Sequence, residues 1–221
     1  SGGALRLRMQ ALADGEAFLD PAERARAAGI TDPSTRRDFL AGRIALRDFA
    51  AGILGVRPGE LTAAYSCPEC GTGPELDHGR PGYRLRDAPA GLLLSLARSH
   101  GWALLAAGAA SASGPAAAAV GVDVEHSSGV GFPGFDDVAL TRAERQLLAA
   151  LAPEEAMPWR AAAWARKEAL LKARGTGLRG DPASIEAFAE PAAGAALVDL
   201  DTVALGLPAG FAAALAVVGT A

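Results

Sequence analysis

Apolar residues recur at helical spacing early in the chain: Phe39, Leu40, Ile44, Phe49 and Ile53 make one face of a predicted helix over 33–53. Asp32-Pro33 supplies an N-cap followed by proline at the first helical position, and Gly55 stands just past the far end. Residues 67–82 are rich in Gly, Pro and Asp and read as a loop. Two apolar runs, 92–97 and 102–107, flank Arg98-Ser99-His100-Gly101 and predict a hairpin.

Small residues at 109–115 read as a link between halves. A strand is predicted over 117–125, then a glycine-rich loop over 127–137. Thr141 opens a helix, and a second helix runs over 157–174 and stops at Gly175. Further strands are expected near 184–189, 196–200 and Phe211–Val218. Each half therefore holds a long helix and several strands, an α+β pattern with modules at 1–110 and 111–221.

Composition narrows the classes. The 221 residues are 50% hydrophobic and 21% charged, as expected of a soluble globular protein. A net charge of −4 gives no global attraction to nucleic acid or an anionic membrane, so any anion must be held by a local cluster. No run approaches the ~18 apolar residues of a membrane span, and no signal-peptide pattern is visible. Two cysteines make no disulfide scaffold and suit a reducing, cytoplasmic setting. Among 21 basic residues only Lys167 and Lys172 are lysines. Where arginine is the default cation, a retained lysine points to a need for a compact ammonium.

Both lysines fall in Trp164-Ala165-Arg166-Lys167-Glu168-Ala169-Leu170-Leu171-Lys172. Trp164, Glu168 and Lys172 are spaced i, i+4, i+8 and share a face, with Lys167 and Leu171 beside them. Upstream, Gly121-Val122-Asp123-Val124-Glu125 alternates as a strand, with the valines on one side and both carboxylates on the other. Two carboxylates on one face repel and suit a hard cation such as Mg²⁺. A strand with one solvated face would look the same, as would an ordinary Glu168–Lys172 surface pair on the helix.

These two segments, in this order and about forty residues apart, resemble the paired signature of Sfp-type 4′-phosphopantetheinyl transferases. Residues 37–43, 67–71 through 79–81, and 95–100 are similar to further motifs of that family. The resemblance implies two similar α/β modules related by a pseudo-twofold. It also implies Mg²⁺-dependent transfer of phosphopantetheine from coenzyme A to a serine of an apo acyl or peptidyl carrier protein, releasing 3′,5′-ADP. It implies metal ligands Asp123, Glu125 and Glu168, and Lys172 on the coenzyme A phosphates, with Glu168 and Lys172 catalytic. Arg36, Arg43, Arg80, Ser99 and His100 are the implied contacts to the nucleotide end, with Arg47 adding to the basic patch. The expected assembly is a monomer acting without nucleic acid or membrane. Another Mg²⁺-dependent phosphate-ester enzyme and a non-catalytic coenzyme A-binding protein are the rival readings.

Three other patterns have competing readings. Glu144 stands in Thr141-Arg142-Ala143-Glu144 and is read as the glutamate of a capping box; the resemblance offers, as the alternative, a place near the chemistry. Gly129–Gly134 matches G-x-G-x-x-G, but Pro133 and the lack of a following helix argue against a dinucleotide turn. Cys67 and Cys70 form a lone C-x-x-C with only His78 nearby, two ligands short of a structural zinc site, and are not read as one.

Overall fold

The computed structural model describes residues 2–6, 17–109, 119–191 and 193–219. The chain divides into two compact units, Ser1–Ser113 and Gly114–Ala221. Both combine helices with antiparallel sheet, giving the α+β class. The expected link at 109–115 lies, from 110 onward, outside the described residues.

In the first unit, helices α1 (Pro21–Gly29) and α2 (Pro33–Leu54) precede a set of short strands. Asp32 caps α2 by accepting from the Thr35 N–H at 2.7 Å, and Gly55 ends it in the left-handed conformation (φ 67°). The main sheet has the order β1 (Gly2–Arg6), β8 (Trp102–Ala109), β7 (Leu92–Ser99). The predicted hairpin is β7–β8, turning through His100 and Gly101, both at positive φ (49° and 76°). Such a pair makes the two-residue turn that matches strand twist. Leu46, Ala50 and Ala51 of α2 pack with Leu94 and Leu105 of this sheet and with Tyr65 and Tyr83. The loop expected at 67–82 is partly ordered: β3 (Tyr65–Cys67) pairs with β4 (Gly71–Gly73). Alongside, β2 (Leu61–Ala63), β5 (Tyr83–Leu85) and β6 (Ala88–Pro89) form a second small sheet.

In the second unit the sheet runs β10 (Ala195–Asp199), β11 (Phe211–Val218), β9 (Ala119–His126). Helices α3 (Phe135–Ala139), α4 (Arg142–Ala149) and α5 (Pro153–Arg174) complete it. Helix α5 lies along β9 and β11 through small side chains: Ala165, Ala169 and Ala173 meet Ala214 and Ala216. Their spacing of four keeps them on one stripe. Gly121 completes this contact. A Cβ there would stand 2.0 Å from the Ala169 carbonyl oxygen and 2.4 Å from the Ala173 nitrogen, so no side chain fits under the helix.

Three sequence expectations are corrected. Residues 184–189 form no strand; a 3-10 turn at Pro182–Ser184 leads into irregular chain. The Ala187 N–H donates to Glu144 and its carbonyl accepts from Arg166, so side chains satisfy a backbone that a sheet would otherwise pair. Helix α5 begins at Pro153 rather than 157. Pro158 breaks one internal bond, but Glu155 caps the Ala152 N–H at 3.2 Å and the earlier turn survives. Finally, the loop at 127–137 contains a 3-10 turn at Ser127–Val130, and the five-residue α3 opens directly after Gly134, where no helix is expected.

Candidate active site

Strand β9 and helix α5 bring the two signature segments together within the second unit. Gly121, Asp123 and Glu125 alternate onto the strand face that α5 covers. Their cross-strand partners on β11 are Ala216, Ala214 and Ala212, which leave room for a helix. Trp164, Glu168 and Lys172 lie one residue before each alanine of the contact stripe, about 100° round the helix, at its edge.

The face is therefore not solvated. Asp123 is only 3% exposed, and Val122 and Val124 on the opposite side are each 1% exposed. Asp123 Oδ1 accepts from the Lys172 ammonium at 2.5 Å. Its other oxygen, Oδ2, is buried with no hydrogen-bond partner among the described residues. Burial outweighs the Lys172 charge and pushes the Asp123 carboxyl up to about 6. Burial, then Asp123, push Glu125 up to about 8; the Trp164 indole hydrogen-bonds it and opposes the shift. Burial raises Glu168 also, against the pull of Lys172. Among the described residues, three carboxylates facing one ammonium leave two negative charges uncompensated in a poorly hydrated place. That is a demand for protons or a dication.

Lys172 thus pairs with Asp123 across to the strand rather than simply bracing Glu168 along the helix. The stripe drawn from sequence needs one further correction. Lys167 and Leu171 do not share the Glu168 face: Lys167 is 0% exposed and Leu171 1%. Lys167 and Lys172 are five residues apart, about 140° round the helix, and serve different partners. The Lys167 ammonium donates to Glu144 Oε2 at 2.5 Å and to the carbonyls of Ala139 at 2.6 Å and Pro182 at 3.0 Å. Glu144 accepts from the Thr141 N–H at 2.8 Å while Thr141 Oγ1 accepts from the Glu144 N–H, the expected capping box. Its Oε1 takes the Ala187 N–H at 2.7 Å. Glu144 and Lys167 are thereby a buried knot joining α3, α4, α5 and the 182–187 segment.

The candidates of the first unit separate by burial. Arg36, Arg80 and His100 are exposed and Ser99 is half-buried. His100 is neither buried nor a helix cap; it sits on the β7–β8 turn with Nδ1 3.1 Å from Ser99 Oγ. Arg43 is largely covered, stacked over Tyr65 and Phe39 and donating to the Asp77 carbonyl at 2.6 Å. Arg47 cannot add to a basic patch: it is 1% exposed and points inward to Asp20, Glu23 and the Leu61 carbonyl. What sequence reasoning missed is Gly121, and a glycine inside a strand is the signal that marks such a close approach.

Residues 119–211 match the model of the 4′-phosphopantetheinyl transferase superfamily, a span that includes Asp123, Glu125, Glu168 and Lys172. Over 172 residues, 76% of this chain, it is 33% identical to the 4′-phosphopantetheinyl transferase HetI of Nostoc sp. strain PCC 7120. That stretch covers 64% of HetI, so the chain spans less than two thirds of this relative's length. Both signature segments, assembled on one strand and one helix, fall inside the span that matches the 4′-phosphopantetheinyl transferase superfamily.

Proposed function

We propose that this protein transfers the 4′-phosphopantetheine group of coenzyme A to a serine hydroxyl of an apo acyl or peptidyl carrier protein. The observation that carries the reading is the acidic cluster on β9 and α5: Asp123, Glu125 and Glu168 around Lys172, with one buried carboxylate oxygen that has no hydrogen-bond partner among the described residues. The donor set fits Mg²⁺, which takes hard oxygens and needs only one or two protein carboxylates besides water and phosphate. Asp123, Glu125 and Glu168 would hold it. When bound, the ion would supply neutralisation and alignment of the pyrophosphate oxygens.

The chain's own residues do the rest. Serine Oγ forms a bond to the β-phosphorus as the bond from that phosphorus to the bridging oxygen breaks, and the electron pair leaves with 3′,5′-ADP. Glu168 accepts the serine proton. Lys172 places a point charge where phosphate charge develops. Arg36, Arg43, Arg80, Ser99 and His100 would hold the nucleotide end, with Arg43 acting from its covered position.

The test is mass spectrometry of apo carrier proteins incubated with the enzyme, coenzyme A and Mg²⁺. Gain of one phosphopantetheine, dependent on the carrier serine, is expected. Hydrolysis of coenzyme A with no carrier modified would instead indicate another phosphate-ester enzyme.

A pH dependence follows from the raised carboxyls. In the metal-free protein Asp123 and Glu125 hold protons to higher pH than when unfolded, from 3.8 to about 6 and from 4.5 to about 8. The native state then binds more protons than the unfolded one, so these groups lower stability as pH rises through that window. A dication displaces the protons, and the rise in melting temperature caused by Mg²⁺ should therefore grow between about pH 5 and about pH 8. Glu125→Gln should flatten this growth. A shift of equal size at both ends of the range would show that the carboxyls are not the ligands.

A further inference from the structure

A second cluster of ligand-type side chains lies in the first unit and has no part in the proposed chemistry. Cys67-Pro68-Glu69-Cys70-Gly71 forms the turn of the β3–β4 hairpin, closed by the Cys67–Gly71 pair with Gly71 at φ 86°. The backbone N–H groups of Glu69 and Cys70 hydrogen-bond the Cys67 sulfur. Backbone amides aimed at a sulfur stabilise a thiolate, the form that binds metal.

The chain then returns along β3. Ser66 and Arg80 exchange backbone hydrogen bonds at 3.0 and 2.8 Å, and the Ala64 N–H donates to the Gly82 carbonyl at 2.9 Å. Gly79 makes the approach possible. It sits at φ 91°, and a Cβ there would come within 2.3 Å of the Ser66 carbonyl oxygen. This register returns His78 to the Cys67 turn. The ligand atoms of Cys67, Cys70 and His78 all lie within 4.8 Å of one another. Ligands of a tetrahedral zinc ion, with bonds of about 2.0–2.3 Å, stand roughly 3.5–3.8 Å apart, so a small closure completes the site.

His78 is also oriented. Its Nδ1 is 3.0 Å from Asp77 Oδ1, which leaves Nε2 for a metal, and Asp77 is itself held by Arg26 at 3.1 Å. A carboxylate behind a histidine is the usual support of a zinc ligand. Among the described residues this is the one trio of Cys, His and acidic side chains drawn to that spacing. The carboxylates of the second unit are coupled electrostatically but not gathered in this way.

We propose that Cys67, Cys70 and His78 bind one Zn²⁺, with water as the fourth ligand, and that the ion fastens the 67–82 loop. Soft thiolates with imidazole select zinc over the magnesium suited to the carboxylates. The loop needs such a clamp: Pro68, Glu69, Cys70, Gly71, Thr72, Pro74 and Glu75 are all exposed, and of the side chains between the cysteines and His78 only Leu76 packs against the core. The C-x-x-C pair needs two further ligands; His78 supplies one once the loop is folded, and water can supply the other.

The proposal does not depend on the transfer reaction, and its test reads metal directly. The full chain is purified under reducing conditions, incubated with Zn²⁺ or Co²⁺, desalted, and analysed for metal content and visible spectrum. About one zinc per chain and the d–d bands of tetrahedral thiolate-bound cobalt are expected. Both should be lost in Cys70→Ser and in His78→Ala, whose side chains are exposed or half-buried and can be changed without opening the core. Both should persist in Asp123→Asn. Chelation should also open Glu69 and Glu75 to a glutamate-specific protease. Wild-type protein that retains no zinc, or zinc retained equally in Cys70→Ser and His78→Ala, would overturn the proposal.

Discussion

Asp123→Asn is expected to reduce carrier modification by at least ~10³-fold while leaving the protein folded. Asparagine keeps the volume and the oxygen that faces Lys172 but removes the charge. The buried Oδ2, which has no partner among the described residues, is replaced by an amide that cannot ligate a cation. Because Asp123 is also one of the charges that raise Glu125, its neutralisation relieves repulsion in the metal-free site. The metal-free variant should therefore melt no lower than metal-free wild type, and Mg²⁺ should no longer raise its melting temperature. Removing the metal from wild type with EDTA should abolish activity reversibly. Activity and stability thus move in different directions, the mark of a functional rather than a structural charge. Wild-type activity persisting in metal-free buffer, or activity lost together with the fold, would contradict this account.

The two lysines should separate just as sharply. Lys167→Ala leaves the Glu144 carboxylate buried without its cation, since the pair is 0% and 2% exposed, and should cost roughly 3–5 kcal/mol of stability. A double variant Lys167→Met/Glu144→Gln should recover part of that loss, because no unpaired charge remains. Lys172→Ala is expected to cost less stability than Lys167→Ala, because Lys172 is 29% exposed and the raised Asp123 carboxyl can take up a proton, but to lower kcat about 10²–10³-fold, with Lys172→Arg recovering only part. Thermal melts and steady-state kinetics on the same preparations test both halves. Equal melting temperatures for Lys167→Ala and Lys172→Ala would show that the Glu144–Lys167 knot contributes nothing to stability.

These contrasts show where sequence reasoning stops. Periodicity located α2, the β7–β8 hairpin, the end of α5 and the last strand, because each buries one regular face and ends on glycine or a polar turn. The capping box at Thr141 and Glu144 was legible for the same reason: both partners lie within one turn of helix. A strand was expected at 184–189, where the backbone is satisfied by Glu144 and Arg166 from other elements, and no local pattern records that.

By itself the sequence determined the α+β class and the long helices, and it singled out the acidic residues and Lys172 as a set, since these depend on composition, spacing and motif. Tertiary structure alone decided which lysine meets Asp123, that Arg47 points inward, and that Gly121 lets α5 approach β9. It also decided that His78 joins the two cysteines across a loop. Local spacing constrains neighbours along the chain, whereas burial and ion pairing depend on which backbone lies within a few ångströms, and that is settled only when the sheet register and helix packing are in place.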